Sequence, residues 1–198
     1  SDSRRQRQMC IRDRHRDFRK PLVLMTPKSL LRNKLCTSKI EDFTNGSSFH
    51  RVLWDDAEKG SSSTELANDK NIRRVVMCSG KVYFDLLEER DARGLNDIYL
   101  LRFEQFYPFP AMSALKELER FQNAEMVWCQ EEPKNQGAWS FMEPNIEWVL
   151  GRMNAKFKRP IYVGRPTSAS PATGLASQHK EQQKLLVEEA LNLKENKK

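Results

Sequence analysis

RRVVMCSGKVYFDLLEERDARGLNDIYLLRF, residues 73–103, is the stretch whose reading decides the fold. Val75–Cys78 is a short apolar run without alternation, the pattern of a strand covered on both faces. Ser79–Gly80 closes it. From Lys81 to Arg93 the spacing turns helical, with Val82, Tyr83, Leu86 and Leu87 on one side and Glu88, Glu89 and Arg90 on the other. Gly94 is a natural C-terminal stop. Ile98–Leu101, with Phe103 beyond it, is apolar again. Strand, helix and strand in this order read as a right-handed βαβ crossover between parallel strands.

The same alternation continues outward in both directions. Leu22–Met25, Met126–Cys129 and Ile161–Val163 are further strand-like runs. Pro110 to Gln122 carries Ala111, Leu115, Leu118 and Phe121 on one stripe, and Pro110 suits a first helical turn. Trp139 to Met153 carries Met142, Ile146, Val149, Leu150 and Met153, and its Pro144 is tolerable only in a first turn. Leu175 to Leu193 is a final helix with Leu186, Ala190 and Leu193 on one face. Thr44 to Asn71, rich in Gly, Ser, Asp and Lys, reads as a long surface excursion. Pro166 to Gly174 (PTSASPATG) reads as an extended connection. The predicted class is α/β, a mostly parallel sheet with helices on both faces.

A chain of 198 residues makes one domain, with or without tails. Its 38% hydrophobic and 31% charged residues place it among globular proteins. The net charge of +7 is uneven: residues 1–16 hold six arginines against two aspartates, which accounts for +4 of it. The expected organisation is a basic arm at 1–16, non-native or disordered, a folded α/β domain at 17–193, and a frayed tail at 194–198. The arm lacks interleaved aromatics, which argues against nucleic-acid binding. No apolar run approaches the ~20 residues of a membrane span, and the polar, cationic first residues lead to the expectation of no secretory signal. Four scattered cysteines without a CxxC pair suit reduced thiols in a cytosolic protein. No metal site is expected.

Catalytic signatures are missing. There is no GxSxG elbow, no GxGxxG and no GxxxxGK[ST], and the three histidines are far apart. The strand ends are more informative, because ligands of open α/β sheets sit beyond the carboxyl ends of the strands. Lys28 follows the first run, Lys81 the second and Gln130 the fourth, with Arg32 and Ser38 close behind Lys28. Ser38 is also placed to cap a short helix around Ile40 and Phe43. Ser79–Gly80–Lys81 opens a helix, whose free N–H groups favour an anion. Lys28, Arg32, Ser38, Lys81 and Gln130 are therefore the candidate effector-binding residues, for a phosphate-bearing ligand.

Five stretches carry a resemblance: RKPLVLMTPKSLLRNK (19–34), RRVVMCSGKVYFDL (73–86), RFEQFYPFP (102–110), VWCQEEPKNQGAW (127–139) and YVGRPTSASPATG (162–174). Together they resemble the C-terminal domain of the 2-oxoglutarate dehydrogenases, over roughly residues 17 to 193. The resemblance implies a transketolase C-terminal-like α/β domain, in agreement with the pattern of runs. It implies a parent enzyme that decarboxylates 2-oxoglutarate on thiamine diphosphate with magnesium, in the citric acid cycle, the cofactors being bound by domains outside this sequence. It implies a homodimer that works with dihydrolipoyl succinyltransferase and dihydrolipoyl dehydrogenase, and a dimerisation or regulatory role for this domain, with acetyl-CoA or AMP as effector. The fragment by itself is expected to be inactive. The setting implied is the bacterial cytoplasm, or the mitochondrial matrix for a eukaryotic source. An alternative reading is a stand-alone nucleotide- or acyl-CoA-sensing α/β domain.

Overall fold

The computed structural model describes residues 23, 25–44, 46–58, 60 and 62–192. The arm at 1–16 and the tail at 194–198 lie outside the described residues, as do Leu22 and Leu24 of the first predicted strand. The chain divides into two compact units, Ser1–Phe49 and His50–Lys198. In the first, Lys28–Arg32 and Ile40–Phe43 form 3₁₀ helices. Val23 and Met25 stand in no strand and are exposed, so the run at 22–25 is apolar without being a described sheet member.

The second unit carries a five-stranded sheet. Its strands are β1 (Val52–Leu53), β2 (Arg74–Cys78), β3 (Ile98–Phe103), β4 (Glu125–Pro133) and β5 (Ile161–Arg165), in the order β1–β3–β2–β4–β5. The helices are α1 (Val82–Ala92), α2 (Ala111–Leu118), α3 (Trp139–Arg152) and α4 (Ala176–Ala190). β2, β3, β4 and β5 pair in parallel, with Val76 opposite Leu100 on one side and Val127 on the other. β1 is the exception, antiparallel to β3 with Val52 opposite Phe103. It arises inside the expected surface excursion at 44–71, which is therefore partly a sheet edge.

The sheet is covered on both faces, which is why its strands are apolar without alternation. Val75, Met77, Leu101, Phe103, Met126 and Trp128 face a core completed by residues of α2 and α3. Val76, Cys78, Leu100, Val127 and Cys129, one residue out of phase, are fully buried on the side of α1 and α4. Each such side chain contributes about 1.5–3 kcal/mol by leaving water. Pro144 lies in the second turn of α3, not the first. A proline there removes one backbone donor, and the carbonyl left over belongs to Ser140, which is exposed to solvent.

Two of the buried arginines, Arg74 and Arg90, tie distant elements together. Arg74 donates from Nη1 to the carbonyls of Glu189 and Ala190, both at 3.0 Å, and from Nη2 to Glu125 at 2.7 Å. A guanidinium at the last turn of α4 satisfies carbonyls the helix cannot and meets the negative end of its dipole. Arg90, which the sequence pattern put on the polar side of α1, is fully buried. It pairs with fully buried Asp55 and with Asp91 at 3.1 Å. Burial would lower the Arg90 guanidinium, and the two carboxylates outweigh that and hold it above its ordinary value. Asp55 also accepts from the backbone N–H of Leu100 at 2.7 Å, while Asp91 accepts from the hydroxyls of Ser62 (2.6 Å) and Thr64 (2.8 Å). The pair thus ties the 54–64 loop to α1 and β3.

Candidate functional site

The carboxyl ends of the parallel strands converge on one edge of the sheet. After β2 the chain turns at Gly80, whose φ of 73° suits a residue without Cβ, and enters α1 through Lys81. The Lys81 ammonium reaches Asp85 Oδ2 at 2.6 Å, one turn along α1, and Glu131 Oε1 at 3.1 Å, on β4. Burial would lower this ammonium, but the bonds and charges of Asp85 and Glu131 raise it above its usual value. Asp85 also accepts from Gln183 Nε2 of α4 at 2.7 Å. Gln183 Oε1 lies 3.4 Å from Arg165 Nη2 at the end of β5, and Arg165 Nη2 donates to His179 Nδ1 at 2.8 Å. A guanidinium only donates, so His179 carries its ring proton on Nε2 when neutral. Arg165 is 8% exposed and its Nε has no hydrogen-bond partner among the described residues.

Gln130 has a different task. β4 runs on to Pro133, so Gln130 lies inside the strand and not after it, and it is 4% exposed. Its Oε1 accepts from Trp128 Nε1 and from the backbone N–H of Trp139, both at 3.0 Å. Its Nε2 donates to the carbonyl of Gln136 at 2.7 Å and lies 3.2 Å from that of Pro133. The segment from Glu131 to Ala138 is therefore wrapped around one amide. Gly137 has φ 67°, and a Cβ there would come within 2.9 Å of Gln130 Nε2. This explains QEEPKNQGAW: its first residue is the hub, its proline and second glutamine supply acceptors, and its glycine allows the close approach.

The second distinctive stretch packs on the first. Asn135 and Ser168 exchange two hydrogen bonds of 3.0 Å, side-chain amide against backbone, and Gln136 Nε2 donates to the Ser168 carbonyl at 3.1 Å. The Tyr162 hydroxyl donates to the carbonyl of Arg165 at 2.8 Å, and burial pushes this phenol up to about 12, so it remains a donor. A Cβ on Gly164 would meet that hydroxyl at 2.5 Å and the Gln130 carbonyl at 2.7 Å. The loops after β4 and β5 form one hydrogen-bonded wall beside Lys81 and Arg165.

Of the five residues singled out from sequence, Lys81 and Gln130 share this edge. Lys28 and Arg32 are in the first 3₁₀ helix of the other compact unit, and Ser38 precedes the second. Ser38 is not a cap: Lys39 holds that position, and its N–H donates to Asp42 at 3.1 Å. Sequence reasoning missed Asp85, Arg165, His179 and Gln183. Arg165 was accessible to the strand-end rule that found Lys81, whereas Gln183 becomes relevant only once α4 lies over α1. Cys78 and Cys129 are neighbours in register on β2 and β4, both buried, and burial pushes the Cys78 thiol up to about 12 and that of Cys129 well above its usual value. Among the described residues no group of three or more His, Cys, Asp or Glu could hold a metal ion, and no helix is long and apolar enough to cross a membrane.

Comparison with known proteins places these features. Residues 37–191 match the family model described as 2-oxoglutarate dehydrogenase C-terminal. Over 181 residues the chain is 59% identical to the 2-oxoglutarate dehydrogenase E1 component of Brucella anthropi, and equally so to the proteins of that name from Brucella ovis and Brucella abortus. Each alignment covers 91% of the chain, and the chain spans only 18% of the length of these relatives.

Proposed function

Since the chain belongs to the 2-oxoglutarate dehydrogenase C-terminal family, we propose that it serves as the dimerisation and regulatory domain of a 2-oxoglutarate dehydrogenase E1 component of the bacterial cytoplasm. The full-length enzyme would decarboxylate 2-oxoglutarate on thiamine diphosphate with magnesium. It would then pass the succinyl group to the lipoyl arm of dihydrolipoyl succinyltransferase in the citric acid cycle, with dihydrolipoyl dehydrogenase completing the complex. The observation that carries this reading is 59% identity over 91% of the chain. Among the described residues no three or more His, Cys, Asp or Glu come together in a way that could hold magnesium. No chemical step is assigned to them. With thiamine diphosphate, magnesium and 2-oxoglutarate, the purified chain is expected to release no carbon dioxide above blank. Turnover that scales with chain concentration would refute the domain assignment.

The homodimer is part of the same proposal. Of the aromatic cluster on α3, Trp139 is core, while Phe141 and Trp148 are 38% and 44% exposed, and Arg152 stacks 3.3 Å from the Trp148 ring centre. Exposed aromatics beside an arginine are the composition of an interface centre.

The regulatory part concerns an anionic effector, acetyl-CoA or AMP, at the sheet edge. Lys81 and Arg165 are its cations there, but Lys81 is already shared between Asp85 and Glu131, so a phosphate must displace a carboxylate. Gln130 holds the wall in place from behind. Lys28, Arg32 and Ser38 remain candidates by residue type. Charge-assisted bonds of about 1.5–3 kcal/mol each, less the entropy of association, support micromolar binding. Calorimetric titration of acetyl-CoA and AMP is expected to show binding to the wild-type chain and at least about tenfold weaker binding to Lys81→Ala and Arg165→Ala, the two cations of that edge. Unchanged affinity in both variants would place the effector elsewhere.

A further inference from the structure

The described residues of 23–49 make their own turns and hide almost nothing. Val23, Met25, Leu31, Ile40, Phe43 and Phe49 are 77, 91, 57, 77, 46 and 51% exposed, and neither 3₁₀ helix has a buried residue. The backbone hydrogen bonds described in this segment link residues three apart, as from Leu30 N–H to the Pro27 carbonyl, Asp42 to Lys39 and Ser47 to Thr44. Single turns of this kind do not hold by themselves, because each fixes several dihedral angles for one hydrogen bond. By contrast, β2 and most of β3 in the other unit are buried throughout. These six side chains and Leu35, all left in water among the described residues of 23–49, are a surface waiting for a partner.

The comparisons indicate which partner. The alignment with the Brucella proteins is longer than the run from Thr37 to the C-terminus, so it takes in residues upstream of the family model. The segment is thus shared with relatives in which about four-fifths of the polypeptide lies outside the region matched here. Resting on the reading given under Proposed function, we propose that residues 23–49 are a docking segment whose apolar side chains seat on the N-terminal remainder of the full-length E1 polypeptide. Its partner surface is apolar and belongs to the same polypeptide.

The test is hydrogen exchange read by mass spectrometry, on the isolated chain and on the Brucella anthropi E1 component with its C-terminal region exchanged for this chain. Peptides within 25–44 are expected to exchange at least about tenfold more slowly in the chimera, and the double substitution Ile40→Ser with Phe43→Ser is expected to abolish that protection. In the isolated chain the same pair should leave the melting temperature within about 1 °C, since it removes exposed groups. A clear fall in melting temperature would show that the segment is covered within this chain, and protection that grows with the isolated chain's concentration would assign it to a second copy. Either result overturns the inference, and neither needs the chimera to fold. A chimera that decarboxylates 2-oxoglutarate while the segment stays unprotected overturns the inference and leaves the functional reading standing. A protected segment in an inactive chimera does the reverse.

Discussion

Replacing Arg90 with alanine is expected to cost about 3–5 kcal/mol of folding stability, the scale for removing one partner of a buried ion pair. The guanidinium has no contact with water, and Asp55 opposite it has none either. Without Arg90, the Asp55 carboxylate would keep only the N–H groups of Leu100 and Ala57, and Asp91 would lose its contact at 3.1 Å. The measurement is the urea midpoint at constant slope, with a fall of about 2–4 °C in melting temperature per kcal/mol as a second reading. Asp55→Ala should cost a similar amount. The double variant Arg90→Met with Asp55→Leu should recover much of the loss, because an apolar pair leaves no charge behind. A loss under about 0.5 kcal/mol for Arg90→Ala would mean that water or rearranged side chains take over its role.

The second large effect is expected at Gln130. Gln130→Leu keeps the approximate volume and removes the amide, leaving the Trp128 indole N–H and the Trp139 backbone N–H without their acceptor and the Gln136 carbonyl without its donor. Each orphaned buried group costs about 1–3 kcal/mol, so with three of them a total of at least about 3 kcal/mol is expected. Its signature is local as well as global: amide exchange should accelerate in residues 131–138 and in 164–170, since the second loop hangs on the first through Asn135 and Gln136. Loss of stability with both loops still protected would show that the wall stands without its hub. Any effector contact at Lys81 should weaken with the wall, since Glu131 is Gln130's neighbour.

The candidate site was legible in part, and the division has a physical basis. Lys81 could be found because a cation after a strand and before a helix is a local feature, carried by Ser79–Gly80–Lys81. Its partners could not, because Glu131 is brought to it by the pairing of β2 with β4 and Gln183 by the packing of α4. Gln130 was read as a ligand donor since a polar residue after an apolar run resembles a strand end. The bulge between Cys129 and Pro133 prolongs β4 instead and lets the amide turn inward.

By itself the sequence determined the elements. Apolar runs without alternation marked β2 to β5, helical spacing marked α1 to α4, and together they required a mainly parallel, doubly covered sheet. The connection at 166–174 was legible as non-helical from its small residues and prolines, whereas the close approaches that Gly137 and Gly164 permit, to Gln130 and Tyr162, were not. Only the tertiary structure decided which strand closes the edge, where β1 at 52–53 pairs with β3 across 50 residues of sequence, a contact no local pattern announces. It alone decided that Arg90 is interior. Its charge grouped it with Glu88 and Glu89 although it stands two turns beyond Tyr83; a charge can enter a core only if a partner waits there, and Asp55 comes from 35 residues away. Local spacing reports which face of an element a residue occupies; whether that face meets water, an opposite charge or another strand depends on contacts between distant segments, and these exist only in the folded chain.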